Sequence, residues 1–208
     1  MSVKPMRVVQ CWDDGRVEDL RLCEILRHHG AKATFNLNAD FLAQEGRAWP
    51  RQRNIYDDFT VANHTATHPH LEAIAPDAAR AEIVDGRKRL QDVFGQPVLG
   101  FAYPFGTYNR TVMELLREAG HRYARTTVNV EQCFPTQDAM AFHPNCHFLA
   151  PDFWARYARA RACGVFYFWG HSYEIKTEEM WRDFEALIAR ISGDPLTEWA
   201  ELTDLFPV

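Results

Sequence analysis

The chain lacks the marks of a nucleic-acid binder, a membrane protein or a disulfide scaffold. Lysine and arginine (23) are outnumbered by aspartate and glutamate (28), giving a formal net charge of -5. The densest basic stretch, Gly86-Arg87-Lys88-Arg89, is explained by a solvated helix face. A nucleic-acid-binding surface is therefore not expected. No apolar run approaches the length of a membrane span. The N-terminal stretch from Met1 to Arg7 is followed by no apolar segment of the secretory kind, so a cytoplasmic location is expected. The five cysteines, Cys11, Cys23, Cys133, Cys146 and Cys163, are odd in number, widely spaced and free of any Cys-x-x-Cys pair. That argues against a disulfide framework and a cysteine zinc site, and for free, mostly buried thiols in a reducing compartment. Internal repeats, low-complexity tracts and linkers are also missing.

What is present is ordinary for a folded chain: 208 residues, 47% hydrophobic and 25% charged, enough for one domain over residues 1–208. Met6 to Trp12 is an apolar run that stops at two acids, which predicts a buried strand. Leu22, Ile25, Leu26 and His29 repeat at helical spacing before Gly30. Strands are predicted at Ala33–Leu37, Phe59–Ala62, Val98–Tyr103 and Val165–Trp169. Helices are predicted from Pro76 to Gly95, around Val112–Ala119, after Pro151, and through Phe184–Ile191 with Thr177 as N-cap. The stretch 47–58 reads as a long loop. Strands alternating with helices predict a parallel α/β layer or barrel.

Chemistry-bearing residues cluster after the predicted strands, where parallel α/β folds build their sites. Asp13-Asp14-Gly15 follows the first strand. Adjacent carboxylates repel, and a nearby cation relieves that repulsion, although a plain turn also uses Asp and Gly. His64-Thr65-Ala66-Thr67-His68 places two imidazoles four apart, on one face if the segment is a helical turn, where they can share a metal. Thr65 stands where a zincin protease carries glutamate, so a zincin is disfavoured, and surface histidines are the plainer alternative. Tyr103-Pro104-Phe105-Gly106 fixes a tight turn that can aim the Phe105 N–H at an oxyanion or can simply be a turn. Gly170-His171-Ser172-Tyr173 puts His171 after an aromatic strand, as a general acid or base or as a core histidine.

Taken in order, these four clusters resemble the polysaccharide deacetylases, carbohydrate esterase family 4, from Arg7 to the last helix. The resemblance implies a distorted, incomplete (β/α) barrel. It implies a divalent metal, zinc above others, held by Asp14, His64 and His68. Asp13 would be the general base, His171 the general acid, the Phe105 N–H an oxyanion donor, and Thr65 a brace for the histidine loop. Trp12, Tyr103, Trp169 and Tyr173 flank these residues and are the candidates for stacking on a sugar, whereas Phe168 reads as core.

Two departures stand out. The family's arginine before the motif-three proline is replaced by Ala102, and Arg125 is the candidate substitute. The acidic motif that orients the acid histidine has no counterpart, and His143 and His147 lie where its function could be supplied. The expected activity is metal-dependent hydrolysis of an N-acetyl or other acyl group on a saccharide. The alternatives are the same fold acting on a non-glycan amide, and a catalytically weak saccharide-binding homologue. Oligomeric state has no signature in the sequence.

Overall fold

A computed structural model describes residues 5–206 apart from 50, 53, 132 and 135. The first four residues, part of the expectation about an N-terminal leader, lie outside it.

Among the described residues eight strands form one parallel sheet: β1 (Met6–Asp13), β2 (Thr34–Leu37), β3 (Thr60–Asn63), β4 (Gly100–Ala102), β5 (Tyr123–Arg125), β6 (Cys146–His147), β7 (Val165–Gly170) and β8 (Thr197–Trp199). Their order is β5-β4-β3-β2-β1-β7-β6, with β8 paired to the start of β1. β2 joins β1 only from Cys11 onward, so β8 takes the edge that β2 leaves open. The sheet wraps into a distorted, incomplete barrel whose ends are β5 and β6. Helices α1 (Asp19–His28), α2 (Pro76–Phe94), α3 (Arg110–Glu118), α4 (Phe153–Ala160) and α5 (Glu178–Ser192) connect or follow the strands.

Local signals set the helix limits. Pro76 opens α2, and Gly95 closes it in the left-handed conformation. The Thr177 hydroxyl accepts the Met180 N–H at the start of α5. Beyond the sequence prediction lie β8, which is partly exposed, and β6, which spans only two residues.

Period-two alternation of the strands sorts the side chains. On β1, Val8 and Trp12 pack outward with Phe35, Leu37, Phe166, Phe168 and Phe184, against the helices. Val9 and Cys11 turn inward with Tyr123, Phe142, Tyr167 and Trp169. Each large side chain buried this way contributes on the order of 2 kcal/mol. Continuing the inward stripe of each strand to its carboxyl end reaches Asp13, Asn36, His64, Ala102, Arg125 and His171. One end of the barrel interior is therefore polar while the rest is apolar.

The cysteine expectation is corrected. Cys133 and Cys163 form a disulfide with Cα atoms 4.9 Å apart, and only Cys11, Cys23 and Cys146 are free and buried. The loop after β5 folds back over the turn that precedes β7, a proximity that spacing along the chain cannot show. The bond removes the thiol argument for a reducing compartment. Among the described residues no helix is long and apolar enough to cross a membrane.

Candidate active site

The Asp13-Asp14-Gly15 turn ends β1. Asp13 is inward and 2% exposed. Asn36 Nδ2 donates to its Oδ1 at 2.7 Å, and Arg125 Nη2 donates to its Oδ2 in a buried ion pair. His171 Nε2 lies 3.9 Å from the same Oδ2. Burial pushes the Asp13 carboxyl up, but Arg125, then His64, His171 and the Asn36 amide, outweigh it and hold the group well below the usual carboxylate range. Asp13 is thus an ionised carboxylate held in one orientation.

Arg125 arrives from the neighbouring strand. Ala102 and Arg125 are register partners across β4 and β5, so they lie side by side on the inner face. The small side chain at 102 leaves the position in front of Asp13 to the guanidinium of 125. The Arg125 guanidinium also lies 4.8 Å over the Trp169 ring. Ala102 contributes its backbone instead, because its carbonyl accepts the Nδ1–H of His64 at 2.8 Å.

That bond fixes the His64 tautomer. A carbonyl only accepts, so Nδ1 carries a proton, and it is Nε2 whose lone pair the neutral ring presents. His64 Nε2 and His68 Nε2 are 3.1 Å apart, and Asp14 Oδ1 lies 3.7 Å from the first and 3.8 Å from the second. These three donors are mutually close enough to share one ion. Two ligand atoms on a tetrahedral zinc, each about 2.0–2.2 Å away, are themselves roughly 3.4 Å apart. The donor set therefore fits a divalent metal, and the His64 carbonyl bond is the kind of outer contact that orients metal-binding imidazoles. Burial, and next the neighbouring His64, push the His68 imidazole down to about 4, which keeps it neutral.

The histidine pair does not sit on a helical turn as the i, i+4 spacing predicts. His64 directly follows β3, and the loop reaches His68 through left-handed backbone at Thr65 (φ 68°) and at His68 itself (φ 62°). Thr65 makes this possible: its Oγ1 donates to the His64 carbonyl at 2.5 Å and accepts the His68 N–H at 2.8 Å. Asn38 Nδ2 donates to the same carbonyl at 2.6 Å. His70 is outside the donor group and stacks on Phe105 at 3.9 Å. The described non-glycine residues with positive φ are Asp14, Thr65, His68 and Phe105. All four lie at this site, where a strained backbone is held by its surroundings.

Asp13, Asp14, His64, His68, Phe105, Trp169, His171 and Tyr173 line one cavity of about 470 Å³. Phe105 carries a left-handed backbone (φ 57°) and a half-exposed ring at the mouth. Gly106 beside it is obligatory, since a Cβ there would lie 2.1 Å from Thr127 Oγ1.

Two sequence expectations for sugar stacking are corrected. Trp12 is fully buried on the outward side of β1, with its indole N–H donated to Gln10 and its ring packed on Phe148 and Phe184. Tyr103 borders the cavity but is inaccessible, stacked on Tyr108 with its hydroxyl donated to the Met140 carbonyl. Both occupy outward positions of their strands. Trp169 is inward, and Tyr173 lies in the turn after β7, partly exposed.

The residue beside His171 is Glu174. Its Oε2 lies 3.2 Å from His171 Nδ1 and accepts the His171 backbone N–H at 2.9 Å. His147 Nε2 donates to the same oxygen at 2.9 Å, with the Leu149 N–H on its Nδ1. His143 is instead bonded to Thr126. Burial pushes the His171 imidazole down, but Glu174 and then Asp13 reverse this and raise it. Glu174 stands three residues after His171, and that spacing in a turn was the signal available in the sequence. Asn36 and Asn38, at alternate positions of Phe35-Asn36-Leu37-Asn38, were missed too.

A family model described as polysaccharide deacetylase matches residues 2–124. A chitooligosaccharide deacetylase of Azorhizobium caulinodans is 32% identical over 102 residues, 49% of this chain and 48% of that protein. Alignment to the curated relatives covers about half of their length. Among solved structures, a CE4 family pseudoenzyme from Bacillus anthracis covers 99% of this chain and 67% of its own, with TM-score 0.68 at 18% identity. A peptidoglycan deacetylase from Bacillus subtilis covers 99% and 92%, with TM-score 0.65 at 14% identity. These two likenesses concern the fold.

Proposed function

Because the chain belongs to the polysaccharide deacetylase family, we propose that it is a metal-dependent hydrolase that removes an N-acetyl or related acyl group from a saccharide. The observation that carries this reading is the meeting, in one cavity, of the donor group Asp14, His64 and His68 with an ionised Asp13 and a raised-pKa His171. Two imidazoles and a carboxylate suit zinc. Held there, such an ion acidifies water and polarises the acyl carbonyl.

The chain's own residues do the rest. Asp13 takes a proton from the attacking water, and the Asn36 amide and Arg125 fix the direction of its carboxylate. Phe105, whose left-handed peptide lies beside His68, is assigned as the N–H donor that stabilises charge on the acyl oxygen. His171 gives a proton to the departing nitrogen, because an amide nitrogen leaves poorly as an anion. Glu174 holds His171 in the protonated form required. Trp169, Tyr173 and the ring of Phe105 supply apolar walls for a sugar ring.

The test is release of acetate and formate from N-acetylated oligosaccharides and small amides by the zinc-loaded protein, beside Asp13→Asn and His68→Ala. Asp13→Asn should keep stoichiometric zinc and lose turnover, and His68→Ala should lose both. Tight zinc binding by His68→Ala would remove the assigned ligand set.

A further inference from the structure

A second cavity, of about 400 Å³, opens beside the first and shares Asp14, His68 and Tyr173 with it. Its distinguishing residues are Arg16 and Arg47. Their backbones are joined by an antiparallel bridge, which sets the two side chains next to each other. Arg47 is 9% exposed, donates Nη1 to the Asp14 carbonyl, and lies 5.0 Å over the Phe41 ring. Arg16 approaches the Tyr173 ring at 5.8 Å, and its buried Nε has no hydrogen-bond partner. A Cβ at Gly46 would come within 3.8 Å of the Arg16 guanidinium.

Among the described residues neither arginine makes an ion pair with a carboxylate, in contrast to Arg125, Arg156 and Arg161. The fold therefore sets two guanidiniums side by side, Arg47 buried and Arg16 partly exposed, and commits only one of their forks, through a single backbone bond. Withdrawing the Arg47 guanidinium from water is costly, and the Asp14 carboxylate, the leading opposite charge acting on it, is shared with the first cavity. Guanidinium forks match the oxygens of carboxylates and phosphates.

We infer that Arg16 and Arg47 form an anion subsite, and that the substrate is a saccharide carrying a carboxylate or phosphate close to its acylated nitrogen. The inference deepens the proposed function and rests on the neighbouring cavity being the place where the acyl group reacts. A ligand whose acyl group enters the first cavity extends past Asp14, His68 and Tyr173 directly into the second.

The test is binding, so it needs no turnover. N-acetylmuramic acid, N-acetylglucosamine 1-phosphate, neutral N-acetylglucosamine and inorganic phosphate are titrated calorimetrically into the zinc-loaded full chain and into Arg16→Gln. Loss of a charge-assisted contact costs roughly tenfold or more in affinity. At least one anionic sugar should bind the wild type about tenfold more tightly than the neutral sugar, and Arg16→Gln should erase that preference. Preference for the carboxylated sugar alone, or for the phosphorylated one alone, supports the subsite and identifies the source of the charge. The wild-type preference should also shrink as salt rises from about 20 to 500 mM, a readout independent of any variant. Equal affinity for neutral and anionic sugars overturns the inference. So does a preference unchanged in Arg16→Gln, since an anion bound only at the metal ligands would bind both proteins alike. Acyl release without anion preference would leave the proposed function standing and remove only the subsite.

Discussion

Replacing Arg125 by methionine isolates the ion pair at the centre of the site. The Arg125 and Asp13 side chains are 1% and 3% exposed. Methionine keeps an unbranched apolar stem but leaves the Asp13 carboxylate buried beside Trp169 and Tyr167 without its cation. Breaking a buried pair from one side costs about 3–5 kcal/mol. In a chain of this size each kcal/mol moves the midpoint by about 2–4 °C, so Tm should fall by roughly 6–20 °C. Asp13→Asn beside Arg125→Met, and the two combined, complete a double-mutant cycle followed by thermal and urea unfolding. The double variant should recover part of the loss, because the unpaired charge is then gone.

The pH dependence has a definite sign. The folded Asp13 carboxyl sits below its unfolded value of 3.8, so the stabilisation from the pair is complete above that value and is lost as pH falls through the depressed folded one. The gap between wild type and Arg125→Met should be flat from about pH 5 to 8 and narrow at lower pH. In activity assays the acid limb of kcat/KM should move to higher pH in Arg125→Met, as Asp13 loses the charge that keeps it ionised. A loss below about 1 kcal/mol, or strictly additive single effects, would refute the coupling.

Three other outcomes follow from named contacts. Glu174→Gln should leave the fold intact and lower kcat, and the alkaline limb of its pH profile should shift downward, since the carboxylate that raises His171 is gone. A profile that stays in place would show that Glu174 does not act through His171. Asp19 is fully buried, accepts the Tyr56 hydroxyl at 2.7 Å, and is pushed by burial from 3.8 to about 7. Its ionisation therefore opposes folding, and the stability advantage of Asp19→Asn should grow from about pH 4 to 7 and level off above, with a ceiling of about 4 kcal/mol; a pH-independent difference in urea unfolding would count against this. Cys133→Ser opens a loop of 30 residues and should cost about 3–4 kcal/mol on the chain-entropy account, and unfolding of the wild type with and without reductant should reproduce the difference.

The sequence by itself determined the helices and the longer strands between them, because each helix carries its own apolar stripe and its own stop or start residue, such as Gly95 and Thr177; the short strands β6 and β8 were not among them. It also determined the candidates Asp13, Asp14, His64, His68 and His171, which stand in the motif order of the family directly at strand ends. Strand parity was legible as well: counting by twos from Asp13 and His171 turns Trp12 and Phe168 outward and Trp169 inward.

Only the tertiary structure decided the contacts made between strands. Ala102 and Arg125 are 23 positions apart in sequence and become neighbours through the β4–β5 register, which is why the arginine could be suspected but not located from the chain alone. The Cys133–Cys163 bond depends on a loop folding back across the barrel end. The histidine loop runs through left-handed backbone held by Thr65 and Asn38, and periodicity arguments, which assume regular helix or strand, do not reach such a conformation. The paired guanidiniums of Arg16 and Arg47 arise in the same way, from a single backbone bridge between segments 31 residues apart. Local sequence encodes where an element begins and which way its faces point, whereas the partners across those faces are chosen by register and closure of the whole sheet.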